Sequence, residues 1–176
     1  MSTPTTLTVL VAAGLAIGMS VPAGAEVKQA TPDTMVSVNV AEVRAAPAAV
    51  YRAIGQVSQW WNGEHTWSGS AANLSMDVRA GGCFCEQWAA GSVEHGRVIL
   101  AQQDDTVRLN AALGPMQDLA VAAVLNFKLT PAGEGTRIEV TYRVAGTPSH
   151  GLDKLAPIVD KVIGEQTARL ARFVDK

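Results

Sequence analysis

Charged residues are scarce in this chain, at 17% of the sequence, and its 14 Lys and Arg are outnumbered by 16 Asp and Glu, for a formal charge of −2. A nucleic-acid binder needs a basic face to displace counterions from phosphates, so nucleic acid is not an expected partner. Aromatic residues make up only 5%. The 48% hydrophobic content therefore comes mostly from Ala and Val, which argues for a packed globule whose small side chains leave room for a cavity. Standard catalytic signatures are missing: there is no Gly-rich phosphate loop, GxSxG nucleophile turn, HExxH helix or dinucleotide fingerprint. Internal repeats, low-complexity tracts and long charge runs are also absent.

An uncharged apolar run, Leu7 to Met19, is followed by Val21-Pro22 and then Ala23-Gly24-Ala25, which has the small residues a signal peptidase requires. The run is shorter than the roughly 20 residues of a bilayer-spanning helix. It reads as a signal peptide over residues 1–25, although the first basic residue is Lys28 and only the terminal amine supplies positive charge ahead of the run. The expectation is a periplasmic or secreted protein with no stable membrane anchor after cleavage. A polar connector, residues 26–34, then leads into one domain over residues 35–176.

Met35 to Arg44 reads as a strand with Val36, Val38, Val40 and Val43 on its buried face. Pro47 opens a helix whose inward side is Val50, Ile54 and Val57, since proline is tolerated where the missing N–H would have no partner. A short helical turn over Ser58 to Trp61 and a loop over Asn62 to Asn73 follow. Six strands are predicted at Leu74 to Val78, Cys83 to Trp88, Val93 to Leu100, Thr106 to Ala112, Val121 to Leu129 and Arg137 to Val144. Their connections are too short for helical crossovers, so neighbours pair antiparallel. Leu152, Leu155, Val159, Val162, Gln166, Leu170 and Phe173 draw a stripe down a last helix. Pro157 predicts an opening turn before a main helix that lies across the whole sheet.

Cys83 and Cys85 fall on one face of a strand, separated by about 6.6 Å, near the upper end of disulfide geometry. In an oxidising compartment a strained bridge can form; the commoner arrangement is two small buried hydrophobes, and the redox state is left open. His65, His95, Glu86 and the cysteines include the residue types zinc prefers, but their spacing is poor, so no metal and no cofactor are expected. A two-residue loop at Ala90-Gly91 would set Glu86 opposite His95, a carboxylate beside an imidazole, whereas a three-residue loop would put Gln87 there. That pair could face the interior or form an ion pair on the convex face, which is the commoner arrangement. Trp60, Trp61 and Trp67 bracket Glu64-His65 near the expected mouth of a cavity, where either Trp60 or Trp61 could instead anchor the core. Met116 lies in a second loop that could border the opening, and Trp88 closes the strand that carries Glu86.

The words VRAAPAAV at Val43 to Val50, Trp60-Trp61, Gly81-Gly82 before a Phe-containing strand, Gly96-Arg97-Val98 and Gln166 to Leu170 carry a resemblance. With the element order, they make the chain similar to the SRPBCC or START-like superfamily, in the polyketide-cyclase-like branch that includes heat-shock ATPase activator homologues. The resemblance implies an α+β helix-grip fold, a curved antiparallel sheet wrapped around a long C-terminal helix over a cavity. It implies a small hydrophobic or amphipathic ligand, lipid-like or aromatic, and the expected binding residues are Trp61, His65, Trp67, Glu86, Trp88, His95 and Met116. No catalytic residue is assigned. The alternatives are a cyclase- or dehydratase-like enzyme and a protein-interaction module, and oligomeric state is left open.

Overall fold

Alternating burial along the chain resolves into eight strands in the computed structural model, which describes residues 25–176. The leader lies outside the described residues except for Ala25. The strands are β1 (Ala25–Thr31), β2 (Thr34–Val43), β3 (Leu74–Met76), β4 (Cys83–Trp88), β5 (Gly91–Gln102), β6 (Thr106–Asn110), β7 (Ala122–Ala132) and β8 (Gly135–Ala145). They form one antiparallel sheet in the order β1-β2-β8-β7-β6-β5-β4-β3. Two helices, α1 (Pro47–Gly55) and α2 (Leu152–Val174), complete an α+β helix-grip fold. Pro47 stands at the first position of α1, and Val50, Ala53 and Ile54 form its buried side. Among the described residues no helix is long and apolar enough to cross a membrane.

Three expectations are corrected. The polar connector is β1, an edge strand paired with β2 through a turn whose Pro32 carbonyl accepts from Leu152 N at 3.0 Å and whose Asp33 carbonyl accepts from Gly146 N at 2.8 Å. The sheet therefore includes Ala25–Thr31, ahead of the expected first strand at Met35. Edge strands are commonly built from charged and polar residues that discourage pairing with other chains, so β1 lacked the hydrophobic alternation that marks a central strand.

Apart from Val43, the buried face of β2 is also the opposite of the expected one. Met35, Ser37, Asn39, Ala41 and Val43 point inward, while Val36, Val38 and Val40 lie half-buried on the outer face. Asp160 of α2 explains the inversion. Its carboxylate accepts from Ser37 Oγ at 2.5 Å and Asn39 Nδ2 at 3.3 Å, so the helix meets β2 through small and polar side chains. β-branched residues suit the partly covered outer surface.

Pro157 does not divide the last helix. It sits in the second turn of α2, where one backbone bond is lost while the helix runs unbroken through its 23 residues, about 35 Å. The helix packs mainly against β1, β2, β8 and α1 rather than across the whole sheet. Its fully buried side is Leu152, Ala156, Asp160, Ile163, Gln166, Thr167 and Leu170. Leu155, Val159 and Val162, predicted to be on that side, form a half-buried flank turned toward the uncovered half of the sheet.

Candidate functional site

Because α2 covers one end of the sheet, the other end is closed by loops, and a cavity of about 370 Å³ remains between them. Leu155, Ile158, Val159, Val162 and Ile163 of α2 form one wall. Opposite them are the segment Glu64 to Trp67 and the loop Leu113 to Met116, with Trp61, His95 and Tyr142 completing the lining. The mouth is marked by Trp67 and Ile158, which are 53% and 66% exposed. His95, at 6%, and the fully buried Tyr142 lie at the closed end.

The first rim loop is held by α2. Asn62 N donates to Gln166 Oε1 at 2.8 Å, Asn62 Nδ2 to Glu165 Oε1 at 2.6 Å, and Arg169 Nε to the Trp60 carbonyl at 2.7 Å. His65 Nε2 lies 3.3 Å from Glu165 Oε2 in an exposed pair, where solvent screening leaves little net energy. Trp60 is the core anchor: its indole N–H donates to the Ala53 carbonyl at 2.8 Å and its ring meets Phe127 edge-on. Trp61 is buried too, yet it lines the cavity while donating to the His65 carbonyl at 3.1 Å. The second rim loop is pinned by Tyr142, whose hydroxyl donates to the Ala111 carbonyl at 2.8 Å and accepts from Leu113 N at 3.0 Å. Burial pushes the Tyr142 phenol far above its ordinary range.

Glu86 and His95 do meet, by a different register from the one expected. The hairpin pairs Trp88 with Gly91 and Glu86 with Val93, so neither anticipated loop occurs. A β-bulge then leaves His95 as an extra residue between Glu94 and Gly96, and His95 and Gly96 are buried consecutively. A side chain at Gly96 would strike the Ala111 Cβ at 2.5 Å, so glycine is what lets β5 and β6 approach beside the bulge. His95 Nε2 lies 2.9 Å from Glu86 Oε2, and its ring packs on Phe84 at a centroid distance of 4.9 Å. The pair is interior, not an ion pair on the convex face.

The Glu86 carboxylate also ties the rim to the floor. Its Oε1 accepts from Ser68 N at 2.6 Å and its Oε2 from Trp67 N at 3.0 Å. Burial alone would raise its pKa, but hydrogen bonds from the Ser68 side chain and backbone, Trp67 N and His95 outweigh burial and hold it below the usual carboxylate range. An ionised carboxylate only accepts, so Nε2 of His95 carries a proton.

Trp61, His65, Trp67, His95 and Met116 thus line the cavity. Glu86 stands behind His95 and positions it, and Trp88 packs over Gly91 at the hairpin end, away from the lining. Sequence reasoning left out Tyr142, Leu113 and Thr66. Tyr142 sat unremarked within a predicted strand.

Cys83 and Cys85 lie on the outer face and are joined by a disulfide, the less common of the two arrangements expected for them. Their Cα atoms are 5.4 Å apart, closer than in an extended strand, beside the bulge. Their sulfurs sit near Glu94, so the zinc-type residues of the sequence are divided between the two faces of β4 and β5. A three-residue loop restrains little of the unfolded chain. Replacing both cysteines by serine is expected to lower stability by only about 1.5 kcal/mol, measured by urea denaturation; a loss above about 4 kcal/mol would contradict this.

Solved structures share this architecture at low sequence identity. CalU16 from Micromonospora echinospora superposes with a TM-score of 0.55 at 12% identity, over 80% of this chain and 76% of that one. The Aha1 dimer from Colwellia psychrerythraea gives 0.54 at 14%, over 78% and 94%. The di-domain ARO/CYC StfQ of the steffimycin biosynthetic pathway gives 0.56 at 13%, over 82% of this chain and 50% of that longer one. No family model and no curated relative matches the chain. What these structures share with the chain is the helix-grip fold.

Proposed function

We propose that this protein is an exported carrier for a small, compact hydrophobic or amphipathic molecule held between the sheet and α2. The observation that carries the reading is the cavity itself, near the lower end of the roughly 300–1,000 Å³ typical of small-ligand sites and walled mainly by apolar side chains. Its size suits a molecule of a few rings better than a diacyl lipid. Two of the three exposed large hydrophobic residues among the described residues, Trp67 and Ile158, stand at its mouth. An interaction module would instead need a filled interior and a broad apolar patch. The ARO/CYC name of one structural neighbour adds weight to an aromatic ligand.

Export rests on the composition of residues 1–25 and is consistent with the disulfide, which persists in oxidising compartments. A second reading, a cyclase- or dehydratase-like enzyme, draws on the inward-facing His95–Glu86 pair, the arrangement acid/base chemistry requires. Native mass spectrometry of protein from its own host tests the carrier reading. The expected result is a retained adduct of small apolar mass, released on denaturation. Repeated recovery of unliganded protein that also fails to take up added naphthol would contradict it.

A further inference from the structure

Polar groups able to reach a ligand are few in this cavity, and most are already engaged or at its rim. Glu64 and His65 are exposed at the mouth. Thr66 donates its hydroxyl proton to the Gly63 carbonyl at 2.7 Å. The Tyr142 hydroxyl uses its proton on Ala111 and accepts from Leu113. At the closed end His95 remains, with Nε2 given to Glu86 and Nδ1 without a protein partner among the described residues.

Neutral imidazole has one N–H and one lone pair. Glu86 also accepts N–H groups from Trp67 and Ser68, so it takes the N–H of Nε2 as a third donor and, in the neutral ring, leaves the lone pair on Nδ1. We propose that His95 Nδ1 is the hydrogen-bond acceptor of this cavity, and that the ligand is a compact apolar molecule bearing a hydroxyl or N–H donor, phenol-like, with that donor at the closed end. The proposal rests on the carrier reading and deepens it.

The same geometry argues against two other ligand classes. With the ring neutral, a carboxylate at the closed end would lie beside the buried charge of Glu86 with no Lys or Arg among the residues lining the cavity to offset it. An ether or ketone would set an acceptor against the Nδ1 lone pair and leave both without a donor in a desolvated site. An apolar ring with one donor group satisfies His95 and buries the rest of its surface against α2.

Calorimetric titration at pH 8 with naphthalene, naphthol and naphthoate tests this, because the three share a ring system and differ in the polar group. Naphthol should bind about tenfold more tightly than naphthalene, although naphthalene is the more hydrophobic, and more tightly than naphthoate. In His95→Phe the advantage of naphthol over naphthalene should vanish while naphthalene still binds. Equal affinities for naphthol and naphthalene in the unaltered protein, tightest binding of naphthoate, or a naphthol preference that persists in His95→Phe would each overturn the proposal and leave the carrier reading standing. Saturable binding of none of the three would overturn the carrier reading, and this inference with it. The comparison among probes on the unaltered protein needs no variant to fold.

Discussion

Glu86→Gln is expected to destabilise the protein by about 2–4 kcal/mol at neutral pH, although the change is nearly isosteric. Both carboxylate oxygens accept from N–H donors: Oε1 from Ser68 and Oε2 from Trp67 and His95. An amide has one acceptor and one donor end, so a glutamine must turn its NH2 toward at least one of those donors in a site with no exposure to water. The Glu86 carboxyl has a folded pKa below its ordinary value of 4.5, so its ionised form contributes stability that is present above that value. That contribution is lost as pH falls through the lower folded pKa. The gap between wild type and Glu86→Gln should therefore narrow below about pH 4.5. Denaturation curves across the pH range check both the size and the narrowing; a gap under about 1 kcal/mol, or one that widens in acid, would contradict the role assigned to Glu86.

Val162→Trp is expected to leave stability within about 1 kcal/mol of wild type while weakening naphthol binding about a hundredfold. Overpacking a filled core costs about 1–3 kcal/mol, but Val162 borders empty space that an indole can enter. The same indole occupies the volume a ligand would need. Calorimetry and urea denaturation on the same preparation separate the two effects. If the variant unfolds easily, the space beside α2 is not open; if it binds as wild type does, the ligand sits elsewhere.

The helix-grip fold was legible in the sequence because its signals are local. Pro47 marks a helix start, turn residues separate the strands, and the spacing from Leu152 to Phe173 marks the last helix. The faces were less legible. Val36, Val38 and Val40 look like an inward stripe, yet what decides the face of β2 is Asp160, far along the chain, which selects Ser37 and Asn39 as its neighbours. Likewise the stripe on α2 mixes two functions that periodicity cannot separate: Leu152 and Leu170 pack against the protein, while Leu155, Val159 and Val162 face the cavity.

The candidate site was recovered for a related reason only in part. Trp61, His65, Trp67, His95 and Met116 were found by residue type and by their places in loops and strands, and they line the cavity. The Glu86–His95 contact was anticipated from a ladder that does not exist. The bulge at His95 restored it, and a bulge leaves no reliable trace in a single sequence beyond a glycine such as Gly96. Tyr142 was missed because its value lies in where its hydroxyl ends, between Ala111 and Leu113, a contact set by the pairing of β6, β7 and β8.

Anomalous diffraction from crystals grown with a brominated naphthol tests the central claim most directly, since it locates the ligand without assumption. The bromine peak should fall in the space bounded by Val159 and Val162 of α2, Trp61, Met116 and His95, with the naphthol oxygen within hydrogen-bonding distance of Nδ1. Bromine found only on the outer surface of the protein, with that space still empty in a crystal whose protein binds naphthol in solution, would contradict it.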